Sequence, residues 1–102
     1  MLTLSMRSDV CTLISLYVDG KEQKRKELDV FCGKKSVVRS ERYSAYAVGL
    51  RPRFVLIVDP GDYEAASGPG GEFPSMVRYG AHEYNIYHDY QINESTVELT
   101  VG

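Results

Sequence analysis

The sequence predicts an all-β protein: a small antiparallel β-barrel or sandwich of about six strands, with one short helix or long loop between strands. Three observations predict it. Short runs rich in β-branched and aromatic residues recur along the chain, and such residues suit a pleated, half-buried surface. Clusters of Gly, Pro, Asn and Asp punctuate these runs as turn signals. The last strands alternate apolar and polar side chains with period two. With 102 residues and 43 % apolar content, the chain has the size of a single domain spanning 1–102, with one core.

The first strand is VCTLISLYV (10–18), which stops at Asp19-Gly20, where glycine accepts positive φ at little cost. KEQKRKE (21–27) reads as a solvated run. LDVFC (28–32) alternates Leu28, Val30 and Cys32 with Asp29 and Phe31, so a second strand is expected over 28–38. FVLIV (54–58) is a continuous apolar run ended by Asp59-Pro60-Gly61, and its shortness and branching favour a buried strand. GDYEAASGPGGEFPS (61–75) reads as a flexible loop, with no GxxxxGK[ST] pattern and no helix start behind its glycines. MVRY (76–79), Gly80-Ala81 and HEYNIYHDYQI (82–92) read as a hairpin whose second arm covers 84–92. Strict alternation there places Tyr84, Ile86, His88, Tyr90 and Ile92 on one face and Asn85, Tyr87, Asp89 and Gln91 on the other. TVELTV (96–101) directs Val97, Leu99 and Val101 inward.

One segment departs from this pattern. In residues 36–54, SVVRSERYSAYAVGLRPRF, Ser40 suits a helix cap, Tyr43, Tyr46, Ala47 and Leu50 recur at helical spacing, and Gly49 with Pro52 signals a stop. A helix near 40–48 is shorter than the ~12 residues that hold a helix alone in water, so it must dock or stay mobile.

Charge is segregated along the chain. Residues 21–53 carry ten Lys and Arg against four acids, +6; residues 54–102 carry one Arg against eight acids, −7; residues 1–20 carry −1, for the net −2. This pattern can steer nucleic acid to the basic part, or let the basic side of one copy meet the acidic side of the next. Alternatively the two sets interleave on folding. No apolar run approaches the ~18 residues of a membrane span, and MLTLSMRSD is too short and polar for a signal peptide. The expectation is a soluble protein, cytosolic where it is made.

Enzymatic chemistry is not expected. His82 and His88, six strand residues apart, are separated by ~20 Å and cannot share a metal. No HExxH or GxSxG motif accompanies them. The acids Asp62, Glu64 and Glu72 sit in a glycine-rich stretch that lacks the rigidity catalysis needs. Cys11 and Cys32 have no CxxC or His partner nearby and read as buried structural thiols. No catalytic residue, cofactor or metal is assigned.

Residues 36–64 show a more specific pattern: Ser-Val-x-Arg-Ser-Glu, an aromatic, a small-residue stretch, Gly-Leu-x-Pro, an apolar strand and Gly-Asp-Tyr. With MRSDVCTLISLY, KRKELDVFC and VRYGAHEYNIYHDY around it, the chain from Met6 to Val101 resembles the head-closure proteins of long-tailed bacteriophages, also called head-tail adaptor, connector or stopper proteins. The resemblance implies a virion structural component of phage or prophage origin, located in the head-tail connector and in host cytoplasm during assembly. It implies a homo-oligomeric ring, commonly a dodecamer, whose subunit is monomeric when isolated. The ring sits between a portal-side adaptor and a tail-side joining protein, closes the channel on packaged double-stranded DNA and offers a tail-docking surface, with no membrane contact. The family's channel loop maps onto residues 36–53, which gives Arg39, Ser40, Glu41, Arg42, Tyr43, Tyr46, Gly49, Leu50, Arg51 and Pro52 as gating residues. Arg51, Arg53, Asp62 and Tyr63 are the subunit-interface candidates. The 61–75 stretch is longer and richer in glycine than the usual family loop, and residues 1–5 extend the usual start.

An ordinary helical connection over one barrel end is the competing reading of 36–53. For the whole chain the alternatives are a small nucleic-acid-binding barrel and a monomeric SH3-like interaction module. Most basic residues lie in 21–53 and most tyrosines elsewhere, which weakens the nucleic-acid alternative, because such barrels set bases and aromatics on one face.

Overall fold

The computed structural model describes residues 9–37 and 47–102. Six strands close into an antiparallel barrel in the order β1-β2-β3-β6-β5-β4. They are β1 (Asp9–Asp19), β2 (Glu22–Lys35), β3 (Phe54–Val58), β4 (Met76–Tyr79), β5 (His82–Asn93) and β6 (Thr96–Val101). A short helix, α1 (Pro60–Ala65), follows β3. The expected six-strand barrel is the fold of this chain. The helix expected near 40–48 falls largely outside the described residues, as do Arg39, Ser40, Glu41, Arg42, Tyr43 and Tyr46.

Two tight hairpins set the register. In β1–β2, Asp19 faces Glu22 across Gly20-Lys21; in β4–β5, Tyr79 faces His82 across Gly80-Ala81. Gly20 (φ 66°) and Gly80 (φ 65°) supply the left-handed first position, which a side chain would strain. Every second residue then points inward. Leu13, Leu56 and Leu99 are fully buried beside Cys11, Cys32, Val58, Val77 and Val101, and each such aliphatic side chain contributes about 1.5–3 kcal/mol through burial. Tyr63 and Ala66 close one end of this core.

Three features differ from the expectation. β2 begins at Glu22 rather than near Leu28, so the charged run belongs to the strand. Its residues through Glu27 are exposed, and a ribbon wet on both faces needs no apolar alternation. α1 replaces part of the expected flexible loop: Asp59 ends β3 and also caps the helix, its carboxylate accepting from the Gly61 N–H at 2.7 Å, with Pro60 in the first turn. The glycines beyond it fold around Glu72, whose carboxylate accepts from the Gly70 N–H at 2.9 Å and whose carbonyl accepts from Gly68 at 2.8 Å.

The third difference is in β5. Ile86 faces Val101 but His88 faces Thr100, and Gln91 faces Val97 but Asn93 faces Thr96, so Tyr87 and Ile92 are each an extra residue. Before the first bulge Tyr84 and Ile86 pack on the core. After it Asp89 and Gln91 lie opposite the buried Leu99 and Val97, while Tyr90 and Ile92 are exposed. The single face expected for 84, 86, 88, 90 and 92 is therefore split by one inserted residue.

Candidate functional site

The barrel has two chemically different ends. At one, the chain leaves β2 at Lys35 and re-enters β3 at Phe54, so residues 36–53 attach there. Val37 and Pro52, near the two attachments, are buried, whereas Arg51 and Arg53 are exposed and Leu50 is half-buried. Gly49 takes φ 86°, the left-handed conformation expected of a stop signal. Lys34 points its ammonium over the Phe54 ring (4.8 Å to centroid) and the Tyr79 ring (5.8 Å). Phe54 meets Tyr84 edge-on at 5.0 Å, and the Tyr79 hydroxyl donates to Asp9 at 2.7 Å. That bond, more than burial, pushes the Tyr79 phenol up to about 12.

Lysine and aromatic rings separated in sequence are thus neighbours in space, and the sequence argument that they stay apart fails here. The rings are nevertheless committed: Phe54 is buried and Tyr79 is tied to Asp9, so neither offers an open face for a stacked base.

At the opposite end stand α1, the β5–β6 turn and six carboxylates: Asp59, Asp62, Glu64, Glu72, Asp89 and Glu94. Lys26 holds this end to the β1–β2 ribbon, donating to the carbonyls of Ala65 and Ser67 at 2.9 and 3.0 Å. It supplies the cation that the C-terminus of α1 lacks in its own last turn. The Ser15 hydroxyl donates to the Ala66 carbonyl at 2.7 Å.

Of the interface candidates, Arg51 and Arg53 belong to the first end and Asp62 and Tyr63 to the second, so the fold brings them together in pairs and keeps the pairs apart. Asp62 is half-buried on α1, and Tyr63 is buried. Tyr63 donates to Asp89 Oδ2 at 2.6 Å and stacks on Phe73 with centroids 5.9 Å apart and planes 10° apart. Burial and the Asp89 acceptor raise its phenol well above the ordinary tyrosine value. Phe73, Asp89 and Tyr90 complete this neighbourhood and were not singled out by sequence. Phe73 had a signal, as the one large apolar residue between Tyr63 and Met76. Asp89 and Tyr90 had none, because the bulge decides which way they face.

On the outer wall, charges from the basic and acidic halves do interleave. Arg25 and Arg78 each bond both Glu27 and Glu83, at 2.8 to 3.2 Å. Lys35 pairs with Glu98. Hydrogen bonds from Arg78 and Arg25 hold the Glu27 and Glu83 carboxyls below the ordinary carboxylate range. Charge is therefore neutralised locally around the wall, and Lys26 of the ribbon stands beside the carboxylates of α1.

His82 and His88 fall on opposite faces of β5 because the Tyr87 bulge lies between them. Among the described residues no group of three or more His, Cys, Asp or Glu is placed to hold a metal ion, and no helix is long and apolar enough to cross a membrane. No family model matches this chain, and no curated protein matches it either.

Proposed function

We propose that this chain is a subunit of a head-closure ring in the head-tail connector of a long-tailed bacteriophage, closing the channel on packaged DNA and offering a docking surface to the tail. The observation that carries the reading is topological. A closed six-strand antiparallel barrel has its long connection, residues 36–53, between β2 and β3 at one end, the position that the resemblance assigns to the channel loop. Both attachments are secured by buried residues, Val37 and Pro52, so the connection can change arrangement without taking core side chains with it. The exposed Arg51 and Arg53 at one end and the carboxylates Glu64 and Asp89 at the other support head-to-tail contacts, which close into rings when the rotation per copy permits. In this reading the chain acts by assembly rather than by catalysis.

The test is negative-stain imaging of the chain co-expressed with its neighbouring head and tail components. Rings within the connector are the expected result. A chain that stays monomeric with those partners, and instead binds an extended peptide in an aromatic groove, belongs to the SH3-like class.

A further inference from the structure

Beside α1 lies an open cleft of about 450 Å³ whose walls include Tyr63, Glu64, Phe73, Asp89, Tyr90 and Gln91. Its apolar rim is unusually bare: Phe73 is 64 % exposed, Tyr90 59 %, and Ile92 on the same strand 47 %. Its charged lining residues are carboxylates, Glu64 and Asp89, with no Lys or Arg among them. Asp89 already accepts from Tyr63 through Oδ2, and a carboxylate has lone pairs to accept further donors. Aromatic faces beside carboxylates suit a guanidinium, which stacks on rings and donates in a planar fork to carboxylate oxygens.

We propose that the cleft receives an arginine of residues 51–53 from a second copy of this chain. The two surfaces are complementary in sign, and Arg51 and Arg53 are exposed at the barrel end opposite the cleft. A chain cannot fill its own cleft this way. Arg53 and Asp59 flank β3, and six residues of extended strand span ~20 Å, beyond the reach of a side chain. The contact is therefore made in trans and joins unlike surfaces, the arrangement that propagates into a ring. It deepens the head-closure reading and rests on it for closure of the ring.

The test is amide chemical-shift mapping with isotope-labelled protein, in which unlabelled chain is added to millimolar concentration. Two variants separate donor from acceptor: R51E/R53E removes the arginines, and E64K/F73A blocks the cleft, all at exposed positions. Wild-type chain should show concentration-dependent shifts both at Glu64 and Asp89 to Gln91 and at Arg51 to Phe54. Each variant alone should lose them, with affinity reduced about tenfold or more. Labelled R51E/R53E should regain the cleft shifts, and only those, when unlabelled E64K/F73A is added.

Cleft shifts that persist in R51E/R53E alone, shifts confined to other surfaces, or none at millimolar concentration would overturn the proposal. The two readings fail separately. Connector rings that form undiminished with R51E/R53E sink the cleft contact and leave the ring. The cleft contact without rings in the connector sinks the head-closure reading and leaves the contact.

Discussion

The hydroxyl of Tyr63 donates to Asp89 Oδ2 at 2.6 Å and joins α1 to β5 across 26 residues of sequence. The bond exists because the bulge at Tyr87 turns Asp89 to the core-facing side, opposite Leu99. Replacing Tyr63 by Phe keeps the ring stacked on Phe73 and removes only the bond, so unfolding in urea should show a loss of about 0.5–1.5 kcal/mol. The Tyr63 phenol is held above its ordinary value near 10, through burial and then the Asp89 bond. Its contribution should be complete below that pH and fade as pH rises beyond it. A Y63F variant as stable as the parent at neutral pH would show that the contact contributes nothing.

On the outer wall, Arg25, Glu27, Arg78 and Glu83 surround Ile14, which faces outward yet is fully buried. Glu27 and Glu83 sit below the ordinary carboxylate range, so their contribution to stability is present above that range and lost as pH falls through their lowered values. R78Q should therefore have a lower urea midpoint than the parent near neutral pH, with the gap narrowing in acid and in high salt. A gap of constant size from neutral to acid pH would assign the effect to packing over Ile14.

Position on the barrel should decide the cost of truncation. Leu56→Ala empties the centre of β3, where Leu56 is fully buried, and should cost about 2–5 kcal/mol, a large part of a small domain's stability. Val18→Ala lies on the ribbon at 68 % exposure and should stay within about 0.5 kcal/mol of the parent. Comparable losses at the two sites in thermal unfolding would mean that the ribbon tip packs on something.

The thiols should be silent in the native state. Cys11 and Cys32 are both buried and unbonded covalently; the hydrogen bond between them pushes the Cys11 thiol far up and lowers that of Cys32, so burial is what shields the pair. Because a reagent must reach the sulfur and both are buried, labelling by an aromatic disulfide reagent at neutral pH should proceed at the rate of unfolding. Labelling of both thiols much faster than unfolding would place them at a surface.

A Gly-Ser linker in place of residues 41–48 should leave the barrel folded, since Val37 and Pro52 remain as buried anchors and loop closure changes by tenths of a kcal/mol to about one. In the head-closure reading the same change lets packaged DNA leak from tail-less heads. Retention of DNA equal to the parent's would remove the gating role from this segment.

Most of the barrel was legible in sequence, and the exceptions have physical causes. β3 and β6 were read at their true limits because a buried run and a strict alternation each leave a distinct pattern, and Gly20 and Gly80 marked their hairpins. The first half of β2 was missed because a ribbon solvated on both faces carries no period. α1 was missed because Asp59-Pro60 serves a strand end and a helix start alike. For the candidate site, Arg51, Arg53, Asp62 and Tyr63 came from motif, whereas Phe73, Asp89 and Tyr90 meet only through a bulge and a folded glycine-rich stretch, which local patterns do not encode.

The seam between β2 and β3 is short: only Gly33–Lys35 of β2 face Ile57–Val55 of β3, whereas β3 meets β6 along its whole length. Residues 36–53 are fastened at the Lys35–Val55 edge of that seam. Tension on the connection would pull the two strands apart from one end, so the ladder would peel bond by bond instead of shearing all at once. Of the two three-pair seams of the barrel, β1–β4 and β2–β3, the second thus runs to the point where residues 36–53 attach, and a load applied there would be met by a yielding hinge while the β1–β2 and β3–β6 ladders held.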